Sequence, residues 1–214
     1  GLIIIDEQHK FGVNQRKKLS DKGGKNCDVL LMSATPIPRT LTMTIYGDMD
    51  LSIIKEKPKF RKEVKTYSKL ENKMEDILKF VKKEINRNNQ VFWVCPLIEE
   101  SKKIDHTSAV KKFEYLRKIF PNKVALLHGK TSGEEKEVIL KKFLNNKFQI
   151  LVSTTVIEVG IDFPNANVII IENANKFGLS QLHQLRGRVG RGEKESSCIL
   201  MFKSSLTDNA KKRL

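Results

Sequence analysis

The sequence contains few cysteines and histidines, which gives little support to metal and disulfide sites. Its three cysteines, Cys27, Cys95 and Cys198, are far apart, and each lies in an apolar, strand-like run. They lack the C-x-x-C or Cys/His spacing of a zinc site. The four histidines are also scattered along the chain. We therefore expect the cysteines to be reduced thiols in the core, which agrees with a cytoplasmic protein.

Long hydrophobic runs and an amino-terminal targeting signal are missing as well. No apolar run approaches the ~20 residues that a membrane-spanning helix needs, and no basic stretch followed by an apolar segment opens the chain. The chain begins at Gly1, inside a strand-like pattern and without methionine, so we interpret it as a fragment of a longer protein. We expect that protein to be cytoplasmic and nucleoid-associated.

Acidic residues are scarce relative to basic ones. The 214 residues include 40 Lys and Arg against 25 Asp and Glu, which gives a net charge of +15. This imbalance favours a polyanionic partner such as nucleic acid over an acidic small molecule. The hydrophobic content of 39% is sufficient for a real core.

Strand-like and helix-like segments alternate along most of the chain, which is typical of βαβ units. We predict strands at 2–5, 29–32, 51–54, 91–95, 124–127, 150–152, 168–171 and 198–202. Apolar residues at helical spacing predict helices over 74–85 and 109–116, and Ser132 with Glu135 forms a capping box for a third. Helices are also compatible with 13–21 and 39–47. These elements predict an α/β fold with a mostly parallel sheet and helices on both faces.

Asp6 and Glu7 follow the first predicted strand, at the edge of the sheet where ligands bind. They could hold Mg²⁺ and activate a hydrolytic water, or they could only cap a helix. A phosphate-binding loop of the pattern G-x-x-x-x-G-K-[ST] is missing, because 24–25, 129–131 and 187–192 each match it only in part. A complete nucleotide site is therefore not encoded here.

Hydroxyl groups follow the predicted strand at 150–152. Ser153, Thr154 and Thr155 could hydrogen-bond a nucleic-acid phosphate, or they could simply cap the next helix. Gly160 would let a ligand approach the backbone, and Asp162 could accept a hydrogen bond from a ligand hydroxyl.

The stretch 181–191, Q-L-H-Q-L-R-G-R-V-G-R, is interpreted as a helix with Ser180 as its N-cap. That helix has an apolar face of Leu182, Leu185 and Val189 beside a polar stripe of Gln181, Gln184, Arg188 and Arg191. Gly187 and Gly190 would each weaken it by ~1 kcal/mol, which indicates a close approach to the backbone. The arginines would either bind phosphate or belong to a solvated basic face.

Four stretches occur together in one order: D-E-Q-H at 6–9, S-A-T at 33–35, T-T-V-I-E-V-G-I-D at 154–162 and Q-L-R-G-R-V-G-R at 184–191. This set resembles the later motifs of superfamily 2 helicases. Longer segments, such as W-V-C-P-L-I-E-E-S and F-G-L-S-Q-L-H-Q-L-R-G-R-V-G-R-G, resemble the bacterial RecG family of branched-DNA translocases. The transcription-repair coupling translocases share T-P-I-P-R-T-L, but they typically have a second glutamate in place of Gln8.

The resemblance implies an ATP-dependent DNA helicase with RecA-like lobes, which uses ATP and Mg²⁺ to remodel forked DNA and Holliday junctions in recombination and repair. Residues 1–56 would be a partial first lobe, 57–61 a linker and 62–205 a nearly complete second lobe. Residues 206–214 would begin a truncated carboxy-terminal helical segment. The wedge and the phosphate-binding loop of the family are absent, so we expect the chain alone to be inactive. The alternative is a non-enzymatic basic nucleic-acid-binding module.

The resemblance also assigns roles to residues. Asp6 would hold Mg²⁺, Glu7 would activate the attacking water, and Arg188 and Arg191 would be arginine fingers. The remaining nucleotide-linked positions would be Gln8, His9, Gly160, Asp162 and Gln184, with Ser33 and Thr35 coupling nucleotide state to lobe movement. Positions expected near the DNA backbone are Pro96, His128, Gly129, Lys130, Thr154 and Thr155.

Overall fold

The structure is a computed structural model that describes residues 1–6, 18, 22, 27–33, 50, 52–54, 56, 62–96, 102–154, 163–203 and 206; over 102–107 it describes the backbone alone. The chain divides into two compact units, Gly1–Lys55 and Glu56–Leu214. Each unit is described by itself below. None of the described helices is long and apolar enough to cross a membrane.

The first unit contains two parallel strands, β1 (Leu2–Ile5) and β2 (Asp28–Leu31). Both were predicted, β2 with bounds one residue too late. The strand predicted at 51–54 is wrong for residues 52–54, which form no strand. Ile53 and Ile54 are 67% and 93% exposed, so the burial that would favour a strand is missing there. The helices predicted at 13–21 and 39–47 lie outside the described residues, except for residue 18.

The second unit is built on a six-stranded sheet in which every described pairing is parallel. The strands are β3 (Val64–Leu70), β4 (Gln90–Val94), β5 (Val124–Leu127), β6 (Ile150–Ser153), β7 (Ala166–Ile171) and β8 (Ser196–Phe202). Their order across the sheet is β3-β8-β7-β4-β6-β5. Every residue of the central strands β4, β6 and β7 is buried, because helices cover both faces of a parallel sheet.

The edge strand β3 was not predicted from the sequence. Its residues, V-K-T-Y-S-K-L, include two lysines, and only Val64 is buried. An edge strand has one neighbour and bears exposed side chains, so it lacks the continuous apolar run that marks the central strands.

Helices pack on both faces of this sheet, as predicted. On one face, α1 (Met74–Asn86) and α2 (Lys102–Ile119) cover a core that includes Trp93. On the other, α3 (Gly133–Leu144) and α4 (Leu179–Arg186) cover a core that includes Phe92. Successive residues of a strand point to opposite faces, which is why the neighbours Phe92 and Trp93 belong to different cores.

The ends of α3 and α4 test two sequence predictions. The capping box is confirmed, since the Ser132 hydroxyl accepts from the Glu135 amide and the Glu135 carboxylate accepts from the Ser132 amide. The prediction that a helix extends to Arg191 is wrong, because α4 ends at Arg186. Ser180 is not its N-cap; Gly178 is, and its amide donates to the Gln181 side chain at 3.2 Å.

All three cysteines are free thiols. Cys95 and Cys198 are buried as expected, whereas Cys27 is only half-buried, so its assignment to the core is wrong. Burial raises the pKa of the Cys198 thiol to about 12, although the nearby Arg186 charge opposes this shift.

Candidate functional site

Three strands of the second unit end side by side at the carboxyl edge of the sheet. Ser153, the last residue of β6, pairs with the last residues of β4 and β5. The Cys95 amide donates to the Ser153 carbonyl at 2.8 Å, which continues the pairing beyond the strands. The segments that follow these strands carry the residues predicted to lie near DNA, so the structure brings Pro96, His128 and Thr154 to one edge.

The segment after β5 is a tight turn that presents Lys130 to solvent. The Lys130 amide donates to Nδ1 of His128 at 3.2 Å, and the Thr131 amide donates to the His128 carbonyl at 3.0 Å. Lys130 and Gly129 are exposed, and His128 is half-buried. A Cβ at Gly129 would meet no atom of the described residues within 4 Å. The turn is held locally while its charge remains accessible.

The other two predicted residues at this edge, Pro96 and Thr154, are buried. Ser153 and Thr154 are 0% and 2% exposed, and their hydroxyls have no hydrogen-bond partner in the part of the chain that the structure describes. Leaving a buried hydroxyl unpaired costs about 1–3 kcal/mol.

A polar cluster supports this edge from the side covered by α2. Trp93 Nε1 donates to Glu172 Oε1 at 2.8 Å, and Lys112 Nζ lies 2.7 Å from the same oxygen. The Lys112 ammonium also lies 5.5 Å from the centroid of the Trp93 ring, a favourable cation–π distance. Burial, and secondarily the Glu172 charge, raise the pKa of the Cys95 thiol far above its usual range.

The sequence analysis missed this cluster. Glu172 follows an apolar strand, just as Asp6 does, and that position was the signal that could have identified it. Trp93 itself lies in β4 and is fully buried.

The predicted site residues of 184–191 lie at the opposite, amino edge of the same sheet. Helix α4 leads into a segment over 187–191, which we call the arginine turn because it carries Arg188 and Arg191. Gly190 in this turn has a φ of +75°, and a Cβ there would lie 2.8 Å from Cγ2 of Val64. Val64 pairs with Ser196, and these are the first residues of β3 and β8. The arginine turn therefore lies against the amino ends of these two strands.

The predicted close approach to the backbone is confirmed at Gly190, and the neighbour is the protein itself. A Cβ at Gly192 would likewise lie 2.8 Å from the Pro164 carbonyl oxygen. The start of the turn is fixed by Arg186, whose guanidinium donates to the Val64 carbonyl at 2.9 Å. Arg186 thus has a structural part in the fold.

As predicted, the apolar face of α4 and the arginine turn is buried, whereas the polar residues of the predicted stripe are more exposed. Leu182, Leu185 and Val189 are at most 7% exposed, although Val189 lies beyond the helix. Arg188 is half-buried, and Arg191 is exposed, with its Nε donating to the Gly187 carbonyl at 3.4 Å. Gln184 is half-buried on the last turn of α4. Two guanidinium groups on a fixed turn suit bidentate binding of phosphate.

The other predicted site residues belong to the first unit or lie outside the described residues. Asp6 and Ser33 follow β1 and β2, which are parallel neighbours, so both lie at the carboxyl edge of that pair. Asp6 is exposed. The predicted residues that lie outside the described part of the chain are Glu7, Gln8, His9, Thr35, Thr155, Gly160 and Asp162.

Solved structures share this fold. The structure of RecG bound to three-way DNA junction matches with a TM-score of 0.76 and 47% identity, over 100% of this chain and 27% of that one. The structure of a single-residue variant of Dbp5 from S. cerevisiae bound to RNA and ADP BeF3 matches with a TM-score of 0.69 over 99% of this chain and 55% of that one. Its identity is 18%, so this likeness shows the fold alone.

Protein sequences give the same family. The protein named ATP-dependent DNA helicase RecG from Bacillus subtilis is 54% identical over 202 residues, which are 94% of this chain and 30% of that protein. A protein of the same name from Thermotoga maritima is 54% identical over 203 residues, 94% of this chain and 26% of that protein. The chain thus spans less than a third of the length of these relatives.

The resemblance to RecG that was inferred from the sequence is thereby confirmed. Residues 72–193 match the family model described as Helicase conserved C-terminal domain. The match runs from the 3-10 turn before α1 to just beyond the arginine turn, so it contains the Lys130 turn and the arginine turn but not β3 or β8. The chain belongs to the family of proteins that carry the helicase conserved C-terminal domain.

Proposed function

We propose that the protein containing this chain is an ATP-dependent DNA helicase that remodels branched DNA, such as stalled forks and Holliday junctions, in recombination and repair. One observation carries the proposal: a single sheet has side chains suited to bind phosphate at both edges, in a chain 47% identical to RecG bound to three-way DNA junction. This activity would place the protein in the cytoplasm, on the chromosome.

The amino edge would serve ATP. Arg188 and Arg191 would complement the negative charge on the phosphoryl oxygens in the transition state, where bidentate guanidinium donors act most strongly. Gln184, one helical turn before Arg188, would support them. The half-buried position of Arg188 fits this role, because partial removal from water strengthens its interaction with phosphate.

The first unit would contribute Asp6. Mg²⁺ prefers oxygen ligands and is commonly held by one or two carboxylates together with substrate phosphates and water. The exposed carboxylate of Asp6 at a strand end fits such a role. When bound, the ion would neutralise phosphate charge, and Glu7 would orient and deprotonate the attacking water. Gln8, His9, Gly160 and Asp162 would complete the contacts to the nucleotide.

The carboxyl edge would bind the DNA backbone. Lys130 supplies an exposed positive charge, and Thr154, which is buried in this structure, would have to become accessible for its hydroxyl to donate to a phosphate oxygen. Pro96, His128, Gly129 and Thr155 would shape the same surface. Contacts of this kind carry no sequence information, which suits an enzyme that moves along duplex DNA of any sequence.

The distance between the two edges bears on the mechanism. β7 has six residues, which at about 3.3 Å per residue span roughly 20 Å. A phosphate at the arginine turn would therefore not touch DNA at the Lys130 turn. Coupling would require movement of the second unit as a rigid body, with Ser33 and Thr35 relaying nucleotide state from the first unit.

Phosphate release by the full-length protein tests the proposal. We expect ATP turnover to rise in the presence of a three-way junction, and to rise less with linear duplex of equal length and sequence content. Unwinding of a labelled arm of the junction should require ATP. If no DNA structure stimulates turnover, the helicase proposal fails.

A second candidate is a basic nucleic-acid-binding module without enzymatic activity, which the net charge of +15 favours. Such a module would bind junction and linear DNA with an affinity that falls as salt rises, because binding releases counterions. Salt-dependent binding without ATP turnover in the full-length protein would support the module over the helicase.

A further inference from the structure

A chain of buried polar side chains crosses the amino edge of the sheet beside the arginine turn. It consists of Glu84 near the end of α1, Asn89 before β4, Asn167 in β7 and Ser196 at the start of β8, and each is at most 7% exposed. Buried polar groups are stable only when they are hydrogen-bonded, so such a chain places strong geometric demands on its members. We call it the polar relay.

The members of the polar relay bond to one another directly. Asn89 Nδ2 donates to Glu84 Oε2 at 2.7 Å, and Asn167 Nδ2 donates to Asn89 Oδ1 at 2.9 Å. Ser196 Oγ donates to Asn167 Oδ1 at 3.3 Å. Lys194, in the segment between the arginine turn and β8, donates from Nζ to Asn89 Oδ1 at 3.3 Å. The amide nitrogen of Asn167 therefore bonds toward α1 through Asn89, and its amide oxygen accepts from Ser196 at the start of β8.

The arginine turn belongs to a segment whose start is fixed by Arg186. The polar relay fixes the end of that segment. Ser196 belongs to the relay and also packs beside the arginine turn, since a Cβ at Gly190 would lie 3.5 Å from Cβ of Ser196. Lys194 fixes a second point of the same segment. The backbone between Arg186 and Ser196 is thus anchored at both ends, with Arg188 and Arg191 between the anchors.

We infer that Asn167, acting through Ser196, is a positioning residue for Arg188 and Arg191. This inference rests on the proposed function, because it takes the nucleotide phosphates to be the ligand of these arginines. Asn167 is the one polar member of β7, whose other residues are Ala166 and a run of Val and Ile. An apolar side chain would suit this fully buried strand, so the retained amide points to a requirement for geometry.

The full-length protein with Asn167→Leu, and separately with the milder Ser196→Ala, tests this inference. Gln90→Met is the matched control, because Gln90 is 1% exposed at the same edge but donates to the Phe148 carbonyl at 3.0 Å, away from the arginine turn. All three variants lose a buried hydrogen bond and should unfold at a lower temperature. A displacement of about 1 Å at a catalytic group can cost on the order of 100-fold in rate.

We expect Asn167→Leu and Ser196→Ala to lower kcat for DNA-stimulated ATP hydrolysis by roughly tenfold or more, with little change in KM, because arginine fingers act in the transition state. Gln90→Met should keep kcat within about twofold of the unmodified protein. Equal kcat in Ser196→Ala and Gln90→Met would overturn the inference. If Arg188→Lys leaves turnover intact, the proposed role of the arginine turn in ATP hydrolysis fails, and if no DNA structure stimulates turnover in the unmodified protein, the helicase proposal fails; both outcomes differ from equal kcat in the two variants.

Discussion

Replacing Gly190 with alanine should destabilise the second unit through the backbone and through packing. The φ of +75° lies in the left-handed region, where an L-residue with a Cβ loses roughly 1–2 kcal/mol. The new Cβ would also lie 2.8 Å from Cγ2 of Val64, which real carbon atoms do not tolerate. Val64 is only 9% exposed and has little room to move. Overpacking of this kind costs about 1–3 kcal/mol.

Together these effects predict a loss of about 2–5 kcal/mol in the free energy of unfolding. That is a large part of the about 5–15 kcal/mol that stabilises a typical domain. Urea unfolding followed by the fluorescence of Trp93, the single tryptophan of the chain, measures it. Gly133→Ala is the control, because a Cβ at that first residue of α3 would meet nothing within 4 Å.

We expect Gly133→Ala to unfold at the same or a higher urea concentration, since alanine favours a helix over glycine by up to ~1 kcal/mol. Gly190→Ala should unfold at a clearly lower one. An unchanged midpoint for Gly190→Ala would refute the close packing of the arginine turn against β3.

Three further predictions concern other parts of the second unit. Because burial raises the pKa of Cys95, its thiol should stay protonated and resist iodoacetamide at pH 8 in the folded protein, while the half-buried Cys27 reacts; equal labelling by mass spectrometry would contradict this. Glu172→Ala should lower the free energy of unfolding by about 3 kcal/mol, because it leaves the mostly buried ammonium of Lys112 without its carboxylate partner. Glu137→Ala breaks an ion pair whose side chains are about 70% exposed, so it should lower the free energy of unfolding by less than about 0.5 kcal/mol. Thermal unfolding of both variants measures these losses, and similar values would refute the distinction between the buried and the exposed ion pair. Lys130→Ala should weaken junction binding by the full-length protein and reduce the slope of log Kd against log salt by about one, whereas an unchanged slope would remove Lys130 from the DNA surface.

The central strands could be predicted because burial on both faces selects long apolar runs. The bounds of β4, β6, β7 and β8 were predicted to within two residues, and those of the edge strand β5, which is mostly buried, without error. The polar edge strand β3 was missed, because its exposed side chains weaken the apolar signal in the sequence. The order of the strands requires knowledge of which strands pair, and the sequence pattern does not contain it.

Candidate site residues could be predicted where they directly follow a predicted strand or lie beside a glycine. Parallel strands deliver their following residues to one edge, so His128 and Thr154 could be expected together. The bend after Arg186 was missed, because helical spacing of Leu182, Leu185 and Val189 continues across Gly187. Asn89 and Asn167 lie far apart in the sequence, and only the pairing of β4 with β7 brings their side chains into contact.

ATP hydrolysis by the full-length protein with Arg188→Lys tests the central claim most directly. Lysine keeps the positive charge but not the bidentate geometry of the guanidinium. With a saturating three-way junction and Mg²⁺-ATP, we expect phosphate release to fall by on the order of 1,000-fold, as for loss of an arginine finger. Junction affinity should stay within about twofold, because the proposed DNA surface lies at the opposite edge. Turnover close to that of the unmodified protein would contradict the assignment of the arginine turn to ATP.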